Sequence, residues 1–265
     1  MRIVICAKEV LNPDAVNNYA LAGRLTIGDD GTITQSAIPR LMNAYDEQAI
    51  EAALRIRDAG VECTITVVSV AADPSAILKH AAALGADEIV HIKPGADGAD
   101  CAGVASLLAA YAGGTGADLV LCGRQASDDD QGVVPALLGE ALGAPIITIA
   151  RDVSLSGRTV RVTRVTPDGD EVVEADLPAV VTISNELGAP RYPTAARSMQ
   201  ARRMAPTLLT PSDLGLAEGE LAPRVVLERM FAPEVHGNCQ FINGAGPAES
   251  ARTLVALLRE ERLLV

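Results

Sequence analysis

Gly123-Arg124-Gln125-Ala126-Ser127-Asp128-Asp129-Asp130-Gln131-Gly132 is the stretch on which the reading of this chain turns. An apolar strand pattern at 118–122 precedes it and an amphipathic helical pattern at 133–142 follows. Strand, polar glycine-bearing loop and helix, in that order, present backbone N–H groups to a phosphate in α/β proteins. Gly123 and Gly132 let a ligand come close to the main chain, and Pro135 suits a first helical turn, where a missing N–H costs nothing. Three aspartates repel a phosphate unless some of them turn aside to cap the helix or accept hydrogen bonds from sugar hydroxyls. The same residues also read as a solvated acidic turn. A Mg²⁺ site at Asp128, Asp129 and Asp130 is a weaker reading, because adjacent side chains on an extended loop diverge.

Outward from the loop, strand patterns rich in Val, Ile and Cys recur at 2–7, 63–70, 88–92 and 145–150. Helical patterns separate them. One runs over 45–59 with Asn43 as its cap, Ile50, Ala53, Leu54 and Arg57 on successive turns, and Gly60 at its stop. A second opens at Pro74 and closes at Gly85, and a third covers 100–112 before Gly113-Gly114. Strands apolar on both faces and alternating with helices are parallel strands covered on both sides. The expectation is a doubly wound, mostly parallel α/β sheet. Two β-hairpins interrupt it: 24–27 with 32–35 around Gly28-Asp29-Asp30-Gly31, and 159–165 with 171–176 around Asp168-Gly169. A further strand follows at 178–184. Beyond Asn185 no period is sustained until a helix starts at Pro247, with Ala251, Leu254, Val255 and Leu258 on one face. The expected division is an α/β domain at 1–186 and an extended arm at 187–265, lying on the domain surface or on a partner subunit.

Composition narrows the function. A chain of 265 residues buries enough surface to need no disulfide or metal. Its five cysteines form no C-x-x-C pair, and an odd count without a secretion signal fits a reducing cytoplasm. No apolar run is long enough to span a membrane. A net charge of −12 and 2% aromatics argue against nucleic acid. One segment is an exception: residues 187–212 carry Arg191, Arg197, Arg202 and Arg203 and no acid, which reads as a solvated loop or as a docking segment for an acidic partner. His80, His91 and His236 fit no metal-ligand spacing; His80, on a helical pattern, and His91, on a strand, are expected to be structural, and Cys6 and Cys122 are expected to be buried thiols. There is no G-x-S-x-G elbow, no Walker lysine loop and no G-x-G-x-x-G after the first strand. What remains is the rim at the carboxyl ends of the strands, where Ala7-Lys8, Asn43 to Asp46, Val70-Ala71 and residues 123–134 converge without a nucleophile or base. That rim suggests a bound nucleotide rather than a reaction on one.

These residues, in order over about 1–215, resemble the β subunit of electron transfer flavoprotein. The likeness rests on Cys6-Ala7-Lys8, Asn43-Ala44-Tyr45-Asp46-Glu47-Gln48-Ala49 and Ala83-Leu84-Gly85-Ala86-Asp87. It continues through Asp118-Leu119-Val120-Leu121-Cys122-Gly123-Arg124-Gln125-Ala126, Asp128-Asp129-Asp130, Leu177-Pro178-Ala179-Val180-Val181-Thr182 and Pro190-Arg191-Tyr192-Pro193. Each piece alone is weak; the ordered set is specific. The resemblance implies a Rossmann-like, adenine-nucleotide-binding fold in an electron-carrier subunit with no catalytic residue or metal of its own. It implies a heterodimer with an α subunit that carries most of an FAD site, AMP in the β subunit, and dehydrogenases and a quinone oxidoreductase as partners. In electron-bifurcating members a second FAD and NADH take the place of AMP. Carried over by position, the nucleotide contacts are Cys6, Ala7 and Lys8, then Asn43, Ala44, Tyr45 and Asp46, then Val70. Gly123, Gln125, Asp128, Asp129, Asp130, Gln131, Gly132, Val133 and Val134 complete them, with Tyr45 toward the flavin. Residues 190–201 match the family's recognition loop, so Arg191, Tyr192, Ala195, Arg197 and Met199, with Arg202 and Arg203, are the expected docking residues. The chain departs from the family at Gln131-Gly132-Val133-Val134, at Ala195 in place of a leucine anchor, and in lacking an aromatic near Glu9 to Asp14. A stand-alone adenine-nucleotide sensor is the alternative from another class, and a colourless homodimer that binds ATP would mark it.

Overall fold

In the computed structural model, the described residues are 1–28, 31–34, 36–95, 98–231 and 239–264. Met1–Met230 form one compact unit and Phe231–Val265 a second. The chain enters the first unit through β1 (Arg2–Cys6), then β2 (Glu9–Leu11), α1 (Pro13–Leu21), β3 (Arg40–Met42) and α2 (Ala44–Asp58). It continues through β4 (Thr64–Val70), α3 (Ser75–Leu84), β5 (Glu88–Ile92), α4 (Cys101–Thr115), β6 (Leu119–Gly123) and α5 (Val134–Leu142). There follow β7 (Ile146–Ser156), β8 (Thr159–Thr166), β9 (Gly169–Asp176), β10 (Ala179–Ile183), α6 (Ala195–Ala201) and β11 (Thr207–Leu209).

Nine strands form one sheet in the order β11-β5-β4-β1-β6-β10-β7-β8-β9, all parallel except along the β7–β8–β9 hairpin. The alternation of a strand explains its two covered faces. Ile3 and Ile5 of β1 and Leu119 and Leu121 of β6 join one core with α2 and α3. Val4, Val120 and Cys122 join the other, with α4 and Leu138 of α5. Full burial of one such Ile or Leu contributes about 1.5–3 kcal/mol. From β1 the chain winds outward to β4 and β5, then crosses back through α4 to place β6 on the other side of β1. The reversal of strand order falls between β1 and β6, where Cys6 lies opposite Cys122.

The doubly wound parallel sheet and the second hairpin match the sequence reading. Several local expectations are corrected. The hairpin expected at 24–27 with 32–35 is present in short form: Ile27 and Ile33 make an antiparallel bridge, the Thr34 N–H donates to the Thr26 carbonyl and the Gly28 N–H to that of Thr32, while Asp29, Asp30 and Gln35 lie outside the described residues. The insert also pairs β2 with β3, antiparallel around α1, whose cap Asn12 accepts the Ala15 N–H and whose first position is Pro13. Gly113-Gly114 continue α4, which stops instead at Gly116 in the left-handed conformation. The strand expected at 145–150 runs on to Ser156 as one side of the hairpin. The stretch after Asn185 also contains α6 and β11, and β11 pairs with β5 at the sheet edge.

In the second unit, α7 (Pro247–Glu260) forms as expected, and none of its residues is buried. His236 lies outside the described residues.

Asp100 does two tasks. One oxygen caps α4 by accepting the N–H groups of Ala102 and Gly103, and the other accepts those of Arg224 and Val225. Asp100→Ala is expected to lower stability by about 1–2 kcal/mol in urea unfolding. Hydrogen exchange should speed up at Arg224 and Val225 as well as in the first turn of α4; exchange confined to α4 would refute the second task.

Candidate functional site

At the reversal, β1 leaves the sheet at Ala7-Lys8 and β6 leaves at Gly123-Arg124, with the start of α2 between them. Asp46 in the first turn of α2 is buried, and its two oxygens accept the N–H groups of Lys8 (2.8 Å) and Gly123 (3.0 Å). Burial pushes this carboxyl up to about 7, while the backbone N–H groups, Asn43 and the Lys8 ammonium pull the other way. Gly123 has no space for a side chain: a Cβ would run into Asp46 Oδ1, 2.7 Å from Tyr45 Cβ and 3.1 Å from Asn43 Nδ2.

Asn43, expected to cap α2, makes no side-chain cap bond. Its buried amide crosses to the acidic loop, donating to the Gln125 carbonyl (2.8 Å) and accepting the Ser127 N–H (3.3 Å). The aspartates also depart from expectation, because Val133 occupies the cap position of α5 and no side chain caps that helix. Asp128 and Asp129 pair instead with the Lys8 ammonium at 2.7 and 3.1 Å. Burial opposes that charge, but the two carboxylates outweigh it and hold the Lys8 pKa above its usual value. Asp129 also accepts the Gln131 N–H, and Asp130 accepts the Gln125 amide from a backbone with φ of 50°.

The loop is therefore braced from below, with its negative charge partly neutralised. Its outer surface is open: Asp128 to Val133 are exposed, and the N–H groups of Gly132, Val133 and Val134 donate to no acceptor among the described residues. Gly132 has φ of +61°, and a Cβ there would press on the Arg124 carbonyl at 3.0 Å. Pro135 sits in the first turn of α5 as expected. Unpaired N–H groups at a helix start, on a loop held by a cation, make a place for a phosphate group.

The other expected residues surround this point. Cys6 ends β1 half-buried and Val70 ends β4. Cys122 is buried, and its hydrogen bond with Cys6, then burial, push its thiol well up. Ala44 is exposed beside Tyr45, whose ring lies 5.5 Å from the Arg124 guanidinium carbon. His80 on α3 reaches Glu47 at 2.7 Å and His91 on β5 reaches the Ala71 carbonyl at 2.8 Å. Among the described residues no cluster of His, Cys, Asp and Glu is placed to hold a metal ion, and no helix is long and apolar enough to cross a membrane.

The basic segment divides in two. Arg191 is turned inward: it donates three hydrogen bonds to buried Glu51, one of them from its backbone, and one to Asp58. Arg197 donates to the Leu84 carbonyl. Tyr192, Met199, Ala195, Arg202 and Arg203 are exposed. Glu51 was not singled out from the sequence, and the available sign was an acid on the apolar face of α2, beside Ile50 and Leu54.

A family model for the electron transfer flavoprotein domain matches residues 30–209. The chain is 33% identical to the caffeyl-CoA reductase-Etf complex subunit CarD of Acetobacterium woodii, over 100% of both chains. It is 32% identical to the electron transfer flavoprotein subunit beta of Mycobacterium tuberculosis, over 83% of this chain and 82% of that one. It is 30% identical to the subunit of the same name in Clostridium acetobutylicum, over 100% of both.

Gly123→Ala puts a methyl group where Asp46, Tyr45 and Asn43 already stand. Its expected cost is about 1–3 kcal/mol of stability in denaturant unfolding. A variant as stable as the parent would show that this junction yields more easily than its geometry implies.

Proposed function

Because this chain belongs to the electron transfer flavoprotein β-subunit family, we propose that it pairs with an α subunit around FAD and holds AMP at the loop 123–134. The observation that carries the reading is the junction of β1 and β6. There, the N–H groups of Gly132, Val133 and Val134, which have no acceptor among the described residues, sit on a loop fixed from below by Asn43 and Lys8. The lack of room for a Cβ at Gly123 and Gly132 fits a backbone cradle.

When bound, FAD supplies the redox chemistry. The chain's own residues do the rest. Gly132 to Val134 meet the phosphate, Lys8 offsets Asp128 and Asp129, and Cys6, Ala7, Ala44 and Val70 line the adenosine. Tyr45, held by Arg124, faces the flavin side. The segment 190–203 presents Tyr192, Met199, Arg202 and Arg203 to acidic dehydrogenases, and the quinone oxidoreductase is a second partner. Arg191 holds that segment from behind rather than touching the partner. Of the arm expected at 187–265, helix α7 in the second unit packs on the α subunit, and the complex works in the cytoplasm.

Full-length similarity to a subunit named for a caffeyl-CoA reductase-Etf complex supports a second reading, in which the β site takes a second FAD and reacts with NADH. Denaturing the purified complex and identifying what it releases separates the two. One FAD and one AMP per heterodimer are expected; two flavins reduced by NADH would favour the second reading, and no flavin would sink both. Arg202→Glu with Arg203→Glu is expected to slow electron transfer from the dehydrogenase and flatten its salt dependence. Unchanged rates at low salt would remove the docking role.

A further inference from the structure

We propose that Asp46 is a positioning residue for the nucleotide: its carboxyl ties the exits of β1 and β6 together, and a proton taken up there slackens the tie and the site with it. The inference rests on the nucleotide reading above and concerns how that site is held. Asp46 is 6% exposed and both its oxygens are taken by main-chain N–H groups, so the side chain is spent inside the protein.

Its influence reaches the ligand through two routes. Lys8 is fixed at its N–H by Asp46, and its ammonium holds Asp128 and Asp129. Gly123 is fixed at its N–H by the same carboxyl, and the loop starts at the next residue. One side chain thus sets the spacing between the cation under the loop and the root of the loop itself.

The charged state matters because a carboxylate accepts on both oxygens, whereas a carboxylic acid must donate from one. The two groups that Asp46 holds are both N–H donors, and the neighbouring Asn43 has its oxygen turned to the Ser127 N–H and its amide to the Gln125 carbonyl. Protonated Asp46 therefore trades away part of its hold on Lys8 or Gly123. The charged and titratable groups around it are few. Lys8 faces it from the exit of β1 and favours the carboxylate; Cys122 faces it from β6, its thiol bonded to Cys6 of β1; Asp128 and Asp129 act on it through Lys8. With the carboxyl raised to about 7, the proton is taken up as pH falls through neutrality, and the site loosens in that direction.

The test uses the complex of this chain with its α subunit, freed of bound nucleotide and titrated by calorimetry with AMP and with the methyl ester of AMP between about pH 5.5 and 8.5. The ester keeps the phosphate that meets the loop but carries one charge throughout that range, so its pH profile reports the protein. Its affinity is expected to fall about tenfold toward the acid end, the worth of one hydrogen bond to a charged group. Asp46→Asn should bind as weakly as the acid form at every pH. An infrared titration should show the Asp46 carboxyl band, absent from Asp46→Asn, disappearing around neutrality. Equal pH profiles for parent and variant, or a carboxyl that ionises in the ordinary carboxylate range, overturn the proposal alone. Failure of both ligands to bind the parent at any pH removes the nucleotide reading and this proposal with it.

Discussion

A pair of hydrogen bonds to one buried carboxyl governs the geometry of the candidate site. Strands β1 and β6 run side by side and then part, which leaves the N–H groups of Lys8 and Gly123 without sheet partners. A buried donor without a partner costs about 1–3 kcal/mol. Asp46 satisfies both from the first turn of α2, so the helix is placed by the same contact that finishes the strands. The absence of a side chain at residue 123 follows, as does the direction in which the acidic loop departs. The carboxyl itself bears the cost of burial, and its raised pKa is the sign of that.

Helix α2 extends this constraint along its length. At its start Asn43 bonds to the acidic loop and Asp46 to its root at Gly123. Further on, Gln48 donates to the Gly188 carbonyl, Arg55 to that of Leu187, and Glu51 with Asp58 receives Arg191. Burial works against the Glu51 charge, but Arg191 and Arg55 outweigh it and hold its pKa below the usual range. The loop and the basic segment, far apart in sequence, are two attachments of one rigid rod.

Much of this was legible in the chain, and the limits have physical causes. The parallel strands announced themselves because strands covered on both faces are apolar throughout, and Gly60, Gly85 and Pro135 marked helix ends through backbone preferences that act locally. The short elements did not. β2, β3 and β11 have three residues each, too few for a period to show, and they exist because of partners elsewhere in the fold. At the site, the residue types were readable and the pairings were not. Asn43 looked like a helix cap because that is what an Asn before a helix does on its own; the acidic loop, 82 residues later, offered its amide a better partner. Asp128 and Asp129 looked repulsive to phosphate because Lys8 is remote in sequence. Arg191 looked free for docking because Glu51 was hidden in a helical pattern.

The long hairpin raises a different matter. Among the described residues no strand pairs with the outer side of β9, and its side chains include Asp170, Glu171, Glu174 and Asp176. Arg151, Arg164 and Arg161 pair with the first three of these from the neighbouring strands. Two copies approaching rim to rim would bring these carboxylates together with their charge only partly offset by the arginines. The sheet's open margin is thus insulated against growth by self-stacking, and the insulation thins in acid or concentrated salt, where solubility becomes the property most at stake.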